Sequence, residues 1–176
     1  MPALSIEASV LRRELNAAAP EFCMTTRLLL GDERRDNSTV TPGEATLLVL
    51  HDLLELMGHK PHDILALLSP YLGLIRKTGD SLFADAQRYE AGPDVPVVLP
   101  RLFLTIGDGR YSTFYNADGG LDKVVWDSTD ATYTTLTAWP TVVVTISITV
   151  MAVRALAGLM GLTRVVSLLG NQPCPT

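Results

Sequence analysis

Cysteine, histidine and basic residues are all scarce in this chain of 176 residues. The two cysteines, Cys23 and Cys174, stand far apart. That excludes a disulfide framework and any zinc-finger spacing. Two incidental thiols in a reducing compartment are the simplest reading. Lys and Arg together number 14 against 19 Asp and Glu, for a formal net charge of −5. Such a chain has no overall attraction to phosphate or anionic lipid, so any nucleic-acid contact must come from a local patch and be strongly salt-sensitive. The opening Met1-Pro-Ala-Leu-Ser-Ile-Glu has no basic stretch leading into a long apolar run. No secretory leader is expected from it, and a cytoplasmic location follows.

The residues of catalysis are also missing as patterns. Gly107-Asp108-Gly109 lacks the lysine and helix context of a phosphate-cradling loop, and no Gly-x-Ser-x-Gly elbow occurs. His51, His59 and His62 lie near Asp52 and Asp63 without metal-ligand spacing. They read as turn and surface histidines. Asp118, Asp122, Asp127 and Asp130 lack the alternation and final Glu of a calcium loop. Neither an enzyme nor a metal or cofactor site is expected.

What is present is apolar: 47% of residues, enough to bury a sizeable core in one domain or two small ones. Ile6, Val10, Leu11 and Leu15 recur at helical spacing, predicting a helix over 4–15 with Ser5 as N-cap. Pro20 opens a second helix that runs to Leu30 and ends at Gly31. The polar run 31–39 is an exposed loop or short hairpin. Thr41, Pro42 and Glu44 form a capping box before a leucine-rich third helix, which carries too many apolar positions to lie on the surface. Gly58 ends it. Pro61 opens a fourth helix to Leu68, Pro70 stops that one, and an amphipathic stretch follows over 71–89.

Beyond a linker containing Pro93 and Pro96 the period changes to two. Segments 101–106 and 110–115 read as a hairpin across Gly107-Asp108-Gly109. Segment 142–148 reads as the central strand, and 150–169 as a closing helix weakened by Gly158 and Gly161. The uncharged run from Tyr133 to Val153 is long enough to span a bilayer. Pro140 and the β-branched 141–148 favour a buried strand instead, so no membrane segment is expected. The fold class expected is α+β. A helical half over 1–90 precedes a small hairpin and strand–helix module over 97–170. Tyr111, Tyr115 and Trp126 on or beside the hairpin are candidate partner-binding residues. Ordinary cross-strand packing is the alternative.

The segment from Thr41 to Leu68 resembles the region after the wing in MerR-type winged helix-turn-helix regulators. There a capped leucine-faced helix ends at a Gly turn, and a short Ile-x-x-Leu-Leu helix follows. Leu53, Leu54, Leu56, Gly58, Ile64, Leu67 and Leu68 fall at the matching steps. Gly58 would take the left-handed position that lets the second helix fold back. The resemblance implies two helices upstream, the second reading the major groove, and then a wing. Arg27 is then the groove residue, Arg34 and Arg35 the wing residues near phosphate, and Arg12 and Arg13 backbone contacts. It implies a transcriptional regulator that binds double-stranded DNA as a homodimer. Thr26-Arg27-Leu28-Leu29-Leu30 stands where that family carries Arg-Tyr-Tyr or Arg-Tyr-Trp, and residues 1–43 hold five Arg against six acidic side chains. An acidic protein-interaction module, an adaptor or inhibitor without DNA binding, is the alternative function.

Overall fold

A computed structural model describes residues 5–31, 38–92, 102–107, 111–116 and 143–165. The fold is α+β: a helical bulk with two small antiparallel sheets. In order, the elements are β1 (Ile6–Glu7), α1 (Ala8–Glu14), α2 (Ala19–Leu30), β2 (Thr39–Val40), α3 (Pro42–Leu56), α4 (Pro61–Leu68) and α5 (Leu72–Ala91). β3 (Leu102–Gly107), β4 (Tyr111–Asn116), β5 (Val143–Ser147) and α6 (Ile148–Met160) follow among the described residues.

α3 is the centre. Its residues Leu47, Leu48, Leu50 and Leu54 are all buried, as the excess of leucines requires. It packs against α5 and α6 on one side and α2 and α4 on the other. The start is fixed by the capping box: Glu44 N–H donates to Thr41 Oγ1 at 3.2 Å, and Thr41 N–H donates to Glu44 Oε2 at 2.8 Å. The stop is fixed by Gly58 at φ +92°. His59 N–H reaches Leu54 O at 3.0 Å and Gly58 N–H reaches Glu55 O at 2.8 Å. These are the two hydrogen bonds of a Schellman turn, which returns the chain into α4. Asn16, at φ +51°, ends α1 in the same way, with Ala17 N–H on Arg12 O and Asn16 N–H on Arg13 O, both at 3.1 Å. Asn tolerates this conformation better than other residues with a Cβ.

Three assignments differ from the sequence reading. Residues 6–7 are a strand, not the first turn of a helix over 4–15, and Glu7 rather than Ser5 precedes α1. The apolar spacing that suggests one helix also suits a strand, and buried Ile6 pairs with buried Val40. α4 ends at Leu68, just ahead of Pro70, as expected. A 3₁₀ turn over Ser69–Tyr71 passes the chain straight into α5, since Pro is tolerated in a first turn. β5 is not central among the described strands: their order is β4-β3-β5, antiparallel throughout. Hydrophobicity marked β5, but burial comes from α6 packing on the sheet, and Leu104 and Ile106 of β3 are buried too. α6 ends at Met160, because Gly161 takes φ +67° and closes another Schellman turn through Leu162 N–H on Ala157 O at 2.8 Å.

The core is one hydrophobic cluster reaching from Ile6 to Val165. α6 links the strands to α3 and α5. Glu90 at the end of α5 fastens the turn after α6. Its Oε2 accepts from Arg164 N–H at 2.9 Å and Val165 N–H at 3.2 Å. No helix among the described residues is long and apolar enough to cross a membrane. Of Tyr133–Val153, residues 133–142 lie outside the described residues, and the rest forms β5 and the start of α6.

Candidate nucleic-acid interface

The short pair β1–β2 positions everything upstream of α3. Ile6 lies opposite Val40 and Glu7 opposite Thr39, and Ala8 N–H adds a bond to Ser38 O at 2.9 Å. Residues thirty-odd positions apart are thereby pinned together. The two helices between them are closed into one unit leaning on α3. Nothing in a two-residue strand announces itself by periodicity. The available signal was the β-branched Thr39-Val40 placed just before the capping box.

Within this unit α2 buries Phe22, Thr26 and Leu29, spaced by a turn each. Thr26 spends its hydroxyl on Phe22 O at 2.6 Å, which makes a polar residue compatible with that face. The opposite face carries Cys23, Met24, Arg27 and Leu28, all exposed. Met24 is 54% and Leu28 41% exposed, high values for such side chains.

Arg12 and Arg13 lie in the last turn of α1 and Arg27 in the last turn of α2, where cations favour the helix dipole. Arg13 approaches Glu14 only to 4.0 Å and both are exposed, so that pair holds neither group firmly. Among the described residues neither Arg12 nor Arg27 has a carboxylate partner. Arg12 shares a surface groove of about 420 Å³ with Cys23 of α2 and with Ser38 and Thr39 at β2. The structure therefore brings Arg12 beside the outer edge of α2, while Arg27 lies on α2 itself. Arg34 and Arg35 lie outside the described residues, as does Trp126. Tyr111 and Tyr115 fall on β4, opposite Gly107 and Phe103 of β3.

The histidines need correction. His62 is exposed and sits 2.9 Å from Asp63, as a surface residue would. His51 is not a surface residue: its side chain is 3% exposed. Its position in α3, one turn after Leu47 and Leu48, puts it in the buried stripe. Burial pushes its pKa below the ordinary histidine value, against the opposing pull of Glu55 and Asp52. Asp52 is pushed up, first by burial and then by the Glu55 carboxylate. No group of three or more His, Cys, Asp or Glu among the described residues could hold a metal ion. No family model matches the chain, and no match is found among curated proteins or solved structures.

Proposed function

We propose that this chain is a DNA-binding transcriptional regulator of the winged helix-turn-helix kind, acting as a homodimer in the cytoplasm, with α2 as the helix that enters the major groove. The observation that carries the reading is the β1–β2 pair. It arranges the described residues as strand, helix, helix, strand, then the capped α3 and its Gly58 hairpin. Two helices ahead of α3 support the upstream part of what the resemblance to MerR-type regulators implies. In this reading Arg27 meets base edges or phosphate, and Arg12 and Arg13 hold the backbone. Arg34 and Arg35 act from the wing. No catalysis is assigned.

The charge balance sets the kind of binding. Few arginines contribute, so affinity is modest, and log K should fall with log salt at a slope of about −0.9 per phosphate neutralised. The test is fluorescence anisotropy with a random duplex pool at low salt. Retention at micromolar protein is expected, reduced about tenfold by Arg27→Ala, the size of a lost charged contact. No retention at micromolar protein and low salt would remove the reading.

A second reading is favoured by Met24 and Leu28, exposed on the same helix face. An apolar stripe suits a protein partner better than a polar groove. The chain would then be an adaptor or inhibitor. Pull-down from the native host would recover a partner that Met24→Ser with Leu28→Ser releases and Arg27→Ala does not.

A further inference from the structure

The exposed face of α2 has two unlike flanks. Successive residues turn by about 100° around a helix. With Phe22, Thr26 and Leu29 turned inward, Cys23 and Arg27 fall on one flank, and Glu21 and Thr25 on the other. Met24 and Leu28, one turn apart and 54% and 41% exposed, form an apolar ridge between the flanks.

The fold adds charge to each flank from outside α2. Beside Cys23, the surface groove brings in Arg12 of α1, with Glu7 as the one carboxylate in its lining. Beside Glu21 and Thr25, a cleft of about 310 Å³ brings in Asp52 and Glu55 of α3. No lysine or arginine lines that cleft. Its carboxylates already crowd one another: burial first, and then Glu55, push the Asp52 carboxyl above its ordinary pKa. The Glu55 side chain is 43% exposed, within reach of a partner. One flank is therefore basic on balance, with Arg12 and Arg27, and the other is acidic.

That arrangement selects the occupant. A basic segment laid on the ridge would meet Arg12 and Arg27, and an acidic one would meet the carboxylates. A second copy of the same surface satisfies both flanks at once. A two-fold axis running along α2 sets ridge on ridge and the basic flank of each copy on the acidic flank of the other. A two-fold axis across α2 would set like flanks together, which charge opposes.

We propose that this chain pairs with a second copy of itself through α2, the two helices lying parallel, with Met24 and Leu28 meeting their counterparts between oppositely charged flanks. Only two apolar side chains per copy enter the ridge, so the pair is weak, and its dependence on charge makes it sensitive to salt. The pairing stands on the ridge and its flanks and needs neither functional reading. Resting on either of them, it becomes their regulation: a pair joined through α2 is a closed form, and α2 must be freed before DNA or another protein can reach it.

Sedimentation equilibrium of the full chain, with no nucleic acid present, tests the pairing independently of DNA binding. A monomer–dimer equilibrium is expected, with Kd on the order of 100 μM or tighter. Met24→Asp should leave the chain monomeric. Arg12→Glu and Glu55→Arg should each weaken self-association by about tenfold or more. Mixed in equal amounts, those two variants should restore a dimer to within about threefold of the parent, because each then meets the opposite charge on both flanks. Arg27→Glu, at an exposed position, repeats the reversal of the basic flank where the fold is not at risk. A chain still monomeric at about 1 mM would overturn the proposal. So would a dimer that all three charge reversals leave unchanged, or one that neither basic-flank variant restores when mixed with Glu55→Arg.

Discussion

α3 meets its neighbours on two sides in two different ways. Toward α5 it is sealed. Gly43 and Gly79 let the two backbones touch: a methyl group built on Gly43 would overlap the Arg76 carbonyl, and one on Gly79 would lie 2.8 Å from Gly43 Cα. Thr46 fills the remaining gap with its hydroxyl turned back on Pro42 O at 2.8 Å. Asp80 of α5 caps the helix from across the seam, accepting from Gly43 N–H at 2.7 Å. Toward α2 the same helix leaves a cleft edged with ionisable groups. The sealed side uses residues chosen for smallness and satisfied polar atoms. The open side uses residues that cost stability to keep there. A helix that can afford the second does so because the first fixes its position.

The sealed side should break most readily. Glycine to alanine inside a helix normally stabilises by up to about 1 kcal/mol. At Gly43 the sign should reverse. Backbone atoms of Arg76 cannot yield as a side-chain tip could, so Gly43→Ala is expected to cost about 3 kcal/mol or more. Gly158→Ala, with open space around the added carbon, is the control and should be neutral or mildly stabilising. Urea melts of the two variants decide it. Equal effects would mean that the α3–α5 contact is looser than the glycines imply.

Asp80 comes next. Asp80→Ala removes a charge-assisted bond to a helix N-terminus, and Asp80 is itself exposed, so about 1–2 kcal/mol is expected. Asp80→Asn keeps an acceptor and should cost less. If both cost the same, the charge rather than the hydrogen bond does the capping, and adding salt should narrow their gap from the parent chain.

These two sides were not equally legible in the sequence. The capping box at Thr41, the turn at Gly58 and the leucine excess of α3 are local, and each was visible because its physics is complete within a few residues. The α5 hydrogen bond to Gly43 spans 37 positions and leaves no trace in either segment alone. The β1–β2 pair is hidden for the same reason, and Ile6 fits a helical spacing because two residues have no period of their own. The surface reading of His51 rests on its nearness to Asp52, Asp63 and the other histidines, while its place in the stripe, after Leu47 and Leu48, marks it as internal. Arg12 and Arg27 enter only through the resemblance to MerR-type regulators. Their nearness to one exposed helix face came from the fold.

The open side should show itself in the pH dependence of stability. His51 has a folded pKa below its ordinary 6.5, so at and below that pH the unfolded chain binds the extra proton. Stability is then present above pH 6.5 and declines as pH falls from there toward the folded value. The steepest slope one proton can give is about 1.4 kcal/mol per pH unit. Asp52 acts in the opposite sense and in a lower window. Its folded pKa lies above 3.8, so the native chain takes up its proton first, and lowering pH toward 3.8 favours folding through that group. Urea melts from pH 8 to 4 should therefore fall below 6.5 and flatten toward 4. His51→Leu should remove the first decline and Asp52→Asn the flattening. A profile that His51→Leu leaves unchanged would mean that the imidazole is hydrated, and the cleft would then be a solvent channel, no different in kind from the exposed groove beside Arg12.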